Sequence, residues 1–482
     1  MSESHYERLT QLDHSFLIYE GANAPMHVGV TAIFEAAPLR RGDGTLDLER
    51  IEQWVLSRLA WIPRYRQRLA WTPLERHPIW VDDACFNLHY HVRHGALPRP
   101  GDERLLKRTA GRILSQHLDR GKPLWELWLI EGLEGDRVAV ITKTHHCMID
   151  GVSGADLLST LLTHEPVEKI EPPPVWLPRP APGDAELARD RLLQGLRAPA
   201  EGAAALLSAA RDAGGRQRIA DRLAALGRVA ASSLETLSPT PLNQPIGPYR
   251  RIDWLPMDLG AVRAVARTLG GTVNDVVLAT VAGGLRRFLG RFRQEDVEGL
   301  TLKVMAPVSL RSDVERGRLG NRVAAWLVPL PVGERDPRRR FECVRAVTSE
   351  LKRSKAALGA DTLTQMAEWT GPALLRLGSR LMTLTPPPFH LVVTNVPGPR
   401  ETLYLLGAPM LAAHPMVPLV GSLSTGIALF SYRDTLSWGF TADWDLVPDL
   451  HDLVESVQHA FGRLAAAAER ESPAAASVGT AG

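Results

Sequence analysis

Cysteine is scarce in this chain: 482 residues hold three, Cys85, Cys147 and Cys343, an odd set without CxxC spacing. That excludes a disulfide framework and a cysteine zinc site. An excess of either charge is also lacking. Lys plus Arg number 56 and Asp plus Glu 54, a formal charge of +2, so no general electrostatic grip on nucleic acid is expected. The opening Met1-Ser2-Glu3-Ser4-His5 has no apolar run, and no secretory leader is read there. Reduced thiols and no leader point to the cytoplasm. No repeat of solenoid or propeller period is found.

What is present is the composition of an ordinary globular protein, 45% hydrophobic and 23% charged, in a chain long enough for two domains. The stretch 403–432 has no Asp, Glu, Lys or Arg and is long enough to invite a membrane span. Pro409, Pro415 and Pro418, with Gly407 and Gly421, would break such a helix repeatedly, so buried strands and turns are predicted.

The first half, 1–164, ends in a strand, a loop and a helix. In 165–182 six prolines (Pro172, Pro173, Pro174, Pro178, Pro180, Pro182) predict an extended connector. Ala/Leu/Arg-rich helices follow, with apolar residues at helical spacing such as Ile219, Leu223 and Leu226, so 165–248 is read as connector and linker helices. A second half, 249–464, starts with a strand over 251–256 and a helix over 258–268. The tail 465–482 is Ala, Ser and Gly, too poor in large apolar side chains to order itself.

The chemistry is concentrated at one point. The β-branched run 137–144 leads into His145-His146-Cys147-Met148-Ile149-Asp150-Gly151. Neighbouring side chains on a strand point to opposite faces, so His145 and His146 cannot share one pocket, and one of them is the candidate base. The same geometry argues against one metal ion held by both, and no further ligands follow at recognisable spacing. Gly151 permits backbone conformations that a Cβ would resist. Ser153 to Asp156 offers a capping box for the next helix, and Asp150 is placed to orient a histidine directly or through a basic side chain.

This HHxxxDG string resembles the active-site motif of the CoA-dependent acyltransferase superfamily. Leu12-Asp13-His14-Ser15-Phe16-Leu17, Pro25-Met26-His27-Val28-Gly29, Pro123-Leu124-Trp125-Glu126, Thr272-Val273-Asn274-Asp275 and Asn395-Val396-Pro397-Gly398-Pro399 resemble segments of one branch, in its order. That branch is the wax ester synthase/diacylglycerol acyltransferase family, and the likeness runs from about residue 9 to 450.

The resemblance implies an α/β (α+β) fold of two chloramphenicol-acetyltransferase-like domains around a central tunnel, joined by a helical linker. It implies long-chain acyl transfer from acyl-CoA to diacylglycerol or a long-chain fatty alcohol, with acyl-CoA a substrate and no cofactor or metal. His146 maps to the general base, His145 and Asp150 to structural roles. Arg66, in Arg64-Tyr65-Arg66-Gln67-Arg68, resembles the arginine that pairs with the Asp in related condensation domains; the other reading is a solvated basic stretch.

Asn274 and Asp275 are either a helix N-cap pair or tunnel residues, and Asn395, Pro397 and Gly398 a domain-crossing turn or a tunnel wall. Trp125 and Trp128 read as core aromatics. Ser422, Ser424 and Thr425 are candidate oxyanion donors, though hydroxyls in such turns commonly bond local backbone. The run 403–429 is a candidate acyl-channel lining. Contact with the inner membrane or lipid droplets would be peripheral. Rival readings are a condensation-type acyltransferase acting on carrier-bound or polyketide substrates, and a noncatalytic lipid-droplet binding protein.

Overall fold

A computed structural model describes residues 6–73, 75–148, 156–190, 192–193, 237–309, 323–353 and 387–471. The first half runs β1 (Glu7–Arg8), α1 (Gln11–Tyr19), β2 (His27–Glu35), α2 (Leu48–Arg58), β3 (Gln67–Trp71), β4 (Pro78–Asp82), α3 (Leu88–His91), β5 (Val92–Ala96), α4 (Glu103–Ser115), β6 (Trp125–Leu133), β7 (Arg137–His145) and α5 (Asp156–Leu161). Thr10 starts α1 by accepting the Asp13 N–H, and Asp102 starts α4 by accepting that of Leu105, each satisfying a donor the helix itself leaves orphaned. β7 is buried at every residue from Val138 to His145. It therefore reads as a continuous β-branched run rather than an alternation, because it is a central strand between β2 and β6.

The second half runs β8 (Arg250–Asp258), α6 (Leu259–Thr268), α7 (Val273–Arg287), β9 (Thr301–Ser309), β10 (Val323–Pro331), α8 (Pro337–Arg353), β11 (Leu391–Val396), β12 (Tyr404–Leu405), β13 (Ala408–Met416), β14 (Thr425–Tyr432), β15 (Thr435–Asp443) and α9 (Leu450–Glu469). The strand and helix predicted over 251–268 are β8 and α6, separated at Asp258, whose carboxylate accepts from Gly260 N and Ala261 N. Glycines 283 and 284 of α7 let α9 approach closely, since a Cβ on Gly284 would press on Val457.

Two six-stranded mixed sheets organise these elements, in the orders β12-β13-β2-β7-β6-β5 and β10-β9-β11-β14-β15-β8, beside a small sheet β1-β4-β3. The order corrects a contiguous 249–464 half: β12 and β13 belong to the first sheet, where β13 pairs with β2 from Met410↔Phe34 to Met416↔Gly29. Pairing at that sequence distance satisfies the outer edge of β2, which no local pattern announces. The uncharged stretch 403–432 becomes β12, β13 and β14, and among the described residues no helix is long and apolar enough to cross a membrane.

A shared core joins the two sheets, with Leu106, Ile113, Ile130 and Ile141 packed on Ile252, Trp254 and Met416. The connector 165–182 is extended but not free. Trp176 lies against Phe86, and Arg179 donates from Nε and Nη2 to the Asp82 carboxylate, both at 3.1 Å. Residues 184–190 are helical, and the linker helix expected around Ile219 to Leu226 lies outside the described residues. The start of the expected tail is helical: α9 continues to Glu469 with Leu464, Ala467 and Ala468 buried, because alanine is a strong helix former and small enough to pack, and 472–482 lie outside the described residues.

Candidate active site

β7 ends at His145, and His146–Met148 form one 3-10 turn. The two imidazoles meet different neighbours. His145 is fully buried and turns to the interior, whereas His146 is half-buried and stacks on Phe16 of α1 at 3.9 Å between ring centroids.

The His145 ring is held at Nδ1. Nδ1 accepts the Cys147 backbone N–H at 3.1 Å, which places a ring proton on Nε2, 3.5 Å from Glu20 Oε2. The His146 backbone is pinned by its N–H to the Met26 carbonyl at 2.8 Å. Among the described residues its ring Nδ1 has no hydrogen-bond partner. Burial first, then the neighbouring His145, lowers the His146 pKa from 6.5 to about 4, so the imidazole is neutral at physiological pH and able to accept a proton.

Glu20 is the hub of this region, and the sequence reading missed it. Arg120 donates to Glu20 Oε2 from Nε at 2.9 Å and from Nη2 at 2.6 Å, and Met26 N donates to Oε1 at 3.3 Å. His27 Nε2 and His117 Nδ1 stand 3.5 and 3.6 Å from Oε1. Burial alone would raise this carboxyl, but His145 and Arg120 together hold it well below the usual carboxylate range. His27 faces His145 across the β2–β7 ladder, and burial, then Lys143 and His145, keep its pKa well below 6.5. Lys143, fully buried on the same face of β7 as His145, pairs with Glu126 at 3.4 Å. The one available signal was a histidine opening an otherwise apolar strand in Pro25-Met26-His27; a Glu just beyond a helix announces nothing.

The other candidates separate. Asp150 and Gly151, and the capping box proposed from Ser153, lie outside the described residues. Arg66 is 4% exposed, which overturns the solvated reading. Its Nη2 donates to Leu56 O at 3.3 Å, the guanidinium lies 5.2 Å from the Trp176 ring, and among the described residues its Nε has no hydrogen-bond partner. Burial lowers its pKa.

Asp275 is occupied by structure. Its Oδ2 accepts from Thr272 N at 2.8 Å in a capping box, and its Oδ1 accepts from Thr348 Oγ1 at 2.6 Å, tying α7 to α8. Asn274 is half-buried beside it. Asn395 pairs with Leu429 of β14 one residue before the ladder ends at Val396, Pro397 is exposed, and Gly398 donates its N–H to Ser431 Oγ at 3.0 Å. Gly398 is held so closely to β14 that a Cβ would overlap the Ser431 carbonyl and the Phe430 ring.

Trp125 is a core aromatic, fully buried and donating Nε1–H to Tyr65 O at 2.8 Å. Ser424 does not serve as an oxyanion donor in this arrangement, because both its hydroxyl and its N–H bond Leu242 O, at 2.6 and 3.1 Å. Among the described residues no group of three His, Cys, Asp or Glu side chains is arranged to hold a metal ion.

Comparison with known proteins adds a second line of observation. The family model for the wax ester synthase/diacylglycerol acyltransferase catalytic domain matches residues 9–277, and the model for the C-terminal domain of that family matches residues 319–465. A Mycobacterium tuberculosis protein named as a diacylglycerol O-acyltransferase is 33% identical over 96% of this chain and 96% of its own length. The solved wax ester synthase/diacylglycerol acyltransferase from Marinobacter aquaeolei VT8 is 25% identical with a TM-score of 0.66, covering 96% of this chain and 100% of that one. The first condensation domain of the CDA synthetase shares the fold at 16% identity and a TM-score of 0.57, covering 95% of this chain and 96% of that domain.

Proposed function

The chain belongs to the wax ester synthase/diacylglycerol acyltransferase family and is an acyltransferase, and on that premise we propose that it moves a long fatty acyl chain from acyl-CoA to diacylglycerol, and also to a long-chain fatty alcohol, with His146 as general base. The observation that carries this reading is the neutral His146 imidazole, half-buried, its backbone pinned to Met26 and its Nδ1 unpartnered among the described residues.

A lipid hydroxyl is a poor nucleophile at neutral pH. In the proposed reaction its oxygen attacks the thioester carbonyl as the imidazole takes its proton. The tetrahedral intermediate then collapses with cleavage of the C–S bond, and the imidazolium returns the proton to the departing thiolate, leaving an ester and free CoA. General base catalysis typically contributes about 10²–10⁴-fold. Alignment of the two substrates and donors aimed at the oxyanion, each worth roughly 3 kcal/mol, contribute the remainder. The attack is direct, so no acyl-enzyme forms, and acyl-CoA is a substrate rather than a bound cofactor. His145 and Asp150 have structural rather than chemical roles. Both acceptors reside in lipid, so the enzyme would meet them at the surface of the inner membrane or of a lipid droplet.

The test is thiol release from palmitoyl-CoA with either diacylglycerol or hexadecanol as acceptor, comparing wild type with His146→Ala. A drop of about 10²–10⁴-fold in the variant is expected. Equal release from both proteins would remove His146 from the mechanism, and ester formed from one acceptor alone would narrow the substrate.

A further inference from the structure

Residues 20–26 carry the contact that sets the His146 backbone, through Met26 O. They form a tight turn, Ala24 N donating to Gly21 O at 2.9 Å, and two side chains hold its remaining carbonyls. His117 Nε2 meets Ala22 O at 3.0 Å from within the first half. Arg250, the first residue of β8, reaches across from the second half and donates Nη2–H to Asn23 O.

Arg250 is 3% exposed, and Nη1 also donates to Gly247 O at 2.7 Å and Tyr249 O at 3.0 Å, lying 3.8 Å from Asp443 Oδ2. The Asp443 carboxylate is already met by the backbone N–H groups of Gly247, Asp445 and Leu446 at 2.7, 3.0 and 2.9 Å. Fastening β8 to β15 would account for these contacts alone; it leaves the bond into the first half unexplained. The same turn is touched once more from outside the first half, where Ala24 packs on Ile246, just ahead of β8, and on Leu419.

We propose that Arg250 is a positioning residue for acyl transfer, clamping segment 20–26 from the opposite half and thereby fixing where His146 stands. This rests on the reading of His146 as the base. A shift of about 1 Å in a catalytic group can cost on the order of 10²-fold in rate, and a turn anchored on both sides of the seam resists such a shift. The planar guanidinium fork spreads its donors over two nitrogens and so reaches Gly247 and Tyr249 from one and Asn23 from the other; a lysine ammonium would keep the charge opposite Asp443 but lose the reach to Asn23.

The test uses the full chain as Arg250→Lys and, separately, Ile246→Ala, which loosens the Ala24 contact without disturbing a buried charge. Thermal unfolding, kcat and KM for both substrates, and hydrogen–deuterium exchange over 20–26 and 137–148 are measured. For Arg250→Lys we expect kcat lower on the order of 10²-fold with KM near wild type. Exchange should be faster at 20–26 and unchanged in β9. Ile246→Ala should show the same pattern at smaller size and carries the test should Arg250→Lys not fold. A folded variant with wild-type kcat and wild-type exchange at 20–26 overturns the proposal. So does exchange that rises evenly along the chain with kcat falling only in step with the folded fraction. A wild type that transfers no acyl group would refute the assigned function, while exchange at 20–26 still decides whether the clamp exists.

Discussion

The Glu20 carboxylate and the His145 imidazole face each other at 3.5 Å inside the first half, and the Cys147 N–H on the opposite ring nitrogen leaves the His145 proton on the side of Glu20. Glu20 thus joins the end of α1 to the end of β7, with Arg120 bonded to the same carboxylate oxygen at 2.6 Å. Replacing Glu20 by Gln keeps the shape, removes the charge that faces Arg120, and sets an amide NH2 donor against either the Met26 N–H at Oε1 or the Arg120 guanidinium at Oε2. We expect a loss of about 1.5–3 kcal/mol in urea unfolding, the range for a hydrogen bond to a charged group. Unaltered stability would mean that the carboxylate is dispensable there.

The His146 pKa of about 4 bears directly on activity. With this imidazole as the base, kcat/KM should stay level from neutral pH down to about pH 5 and fall below that with a midpoint near 4. Circular dichroism at each pH separates titration from unfolding. A midpoint near the ordinary value of 6.5 would point to a different base.

The same depression has a consequence for stability, shared with His414, which burial lowers to about 3. Below pH 6.5 the unfolded chain protonates both histidines while the folded chain keeps them neutral, so protons favour unfolding. Stability is then complete above 6.5 and is lost as pH falls toward 4 for His146 and 3 for His414, at roughly 1.4 kcal/mol per pH unit for each. Glu20, with its lowered pKa, adds a loss in the same direction once pH drops below 4.5. Urea midpoints at pH 7.5, 6 and 5 check the trend, and a flat series would contradict the burial of these rings.

Asp275 offers a decision between its two readings. Both carboxylate oxygens serve the α7 cap and Thr348, so Asp275→Ala should cost about 2 kcal/mol with KM for the acceptor unchanged. A raised acceptor KM in a protein of wild-type stability would return Asp275 to the substrate path.

Legibility in the sequence followed the range of the interaction. The strand that runs into the paired histidines was readable because its β-branched residues fall in one short run. The strand and helix around Asp258 were readable because a cap marks its own boundary, and the burial of 403–432 because prolines forbid the alternative. Arg66 was not readable, since the run Arg64 to Arg68 looks solvated until the connector lays Trp176 beside it.

By itself, then, the sequence determined which short elements form and where the paired histidines lie, since backbone periodicity, caps and punctuation act within a few residues. Tertiary structure alone decided that β13 joins the first sheet, that Gly439 leaves room for the Pro415 carbonyl where the two sheets meet, that Glu20 gathers Arg120 and three histidines, and that Arg250 reaches Asn23. Each of these joins residues far apart in the chain. Whether such charges and edges meet depends on which surfaces pack together, and packing is a property of the whole fold.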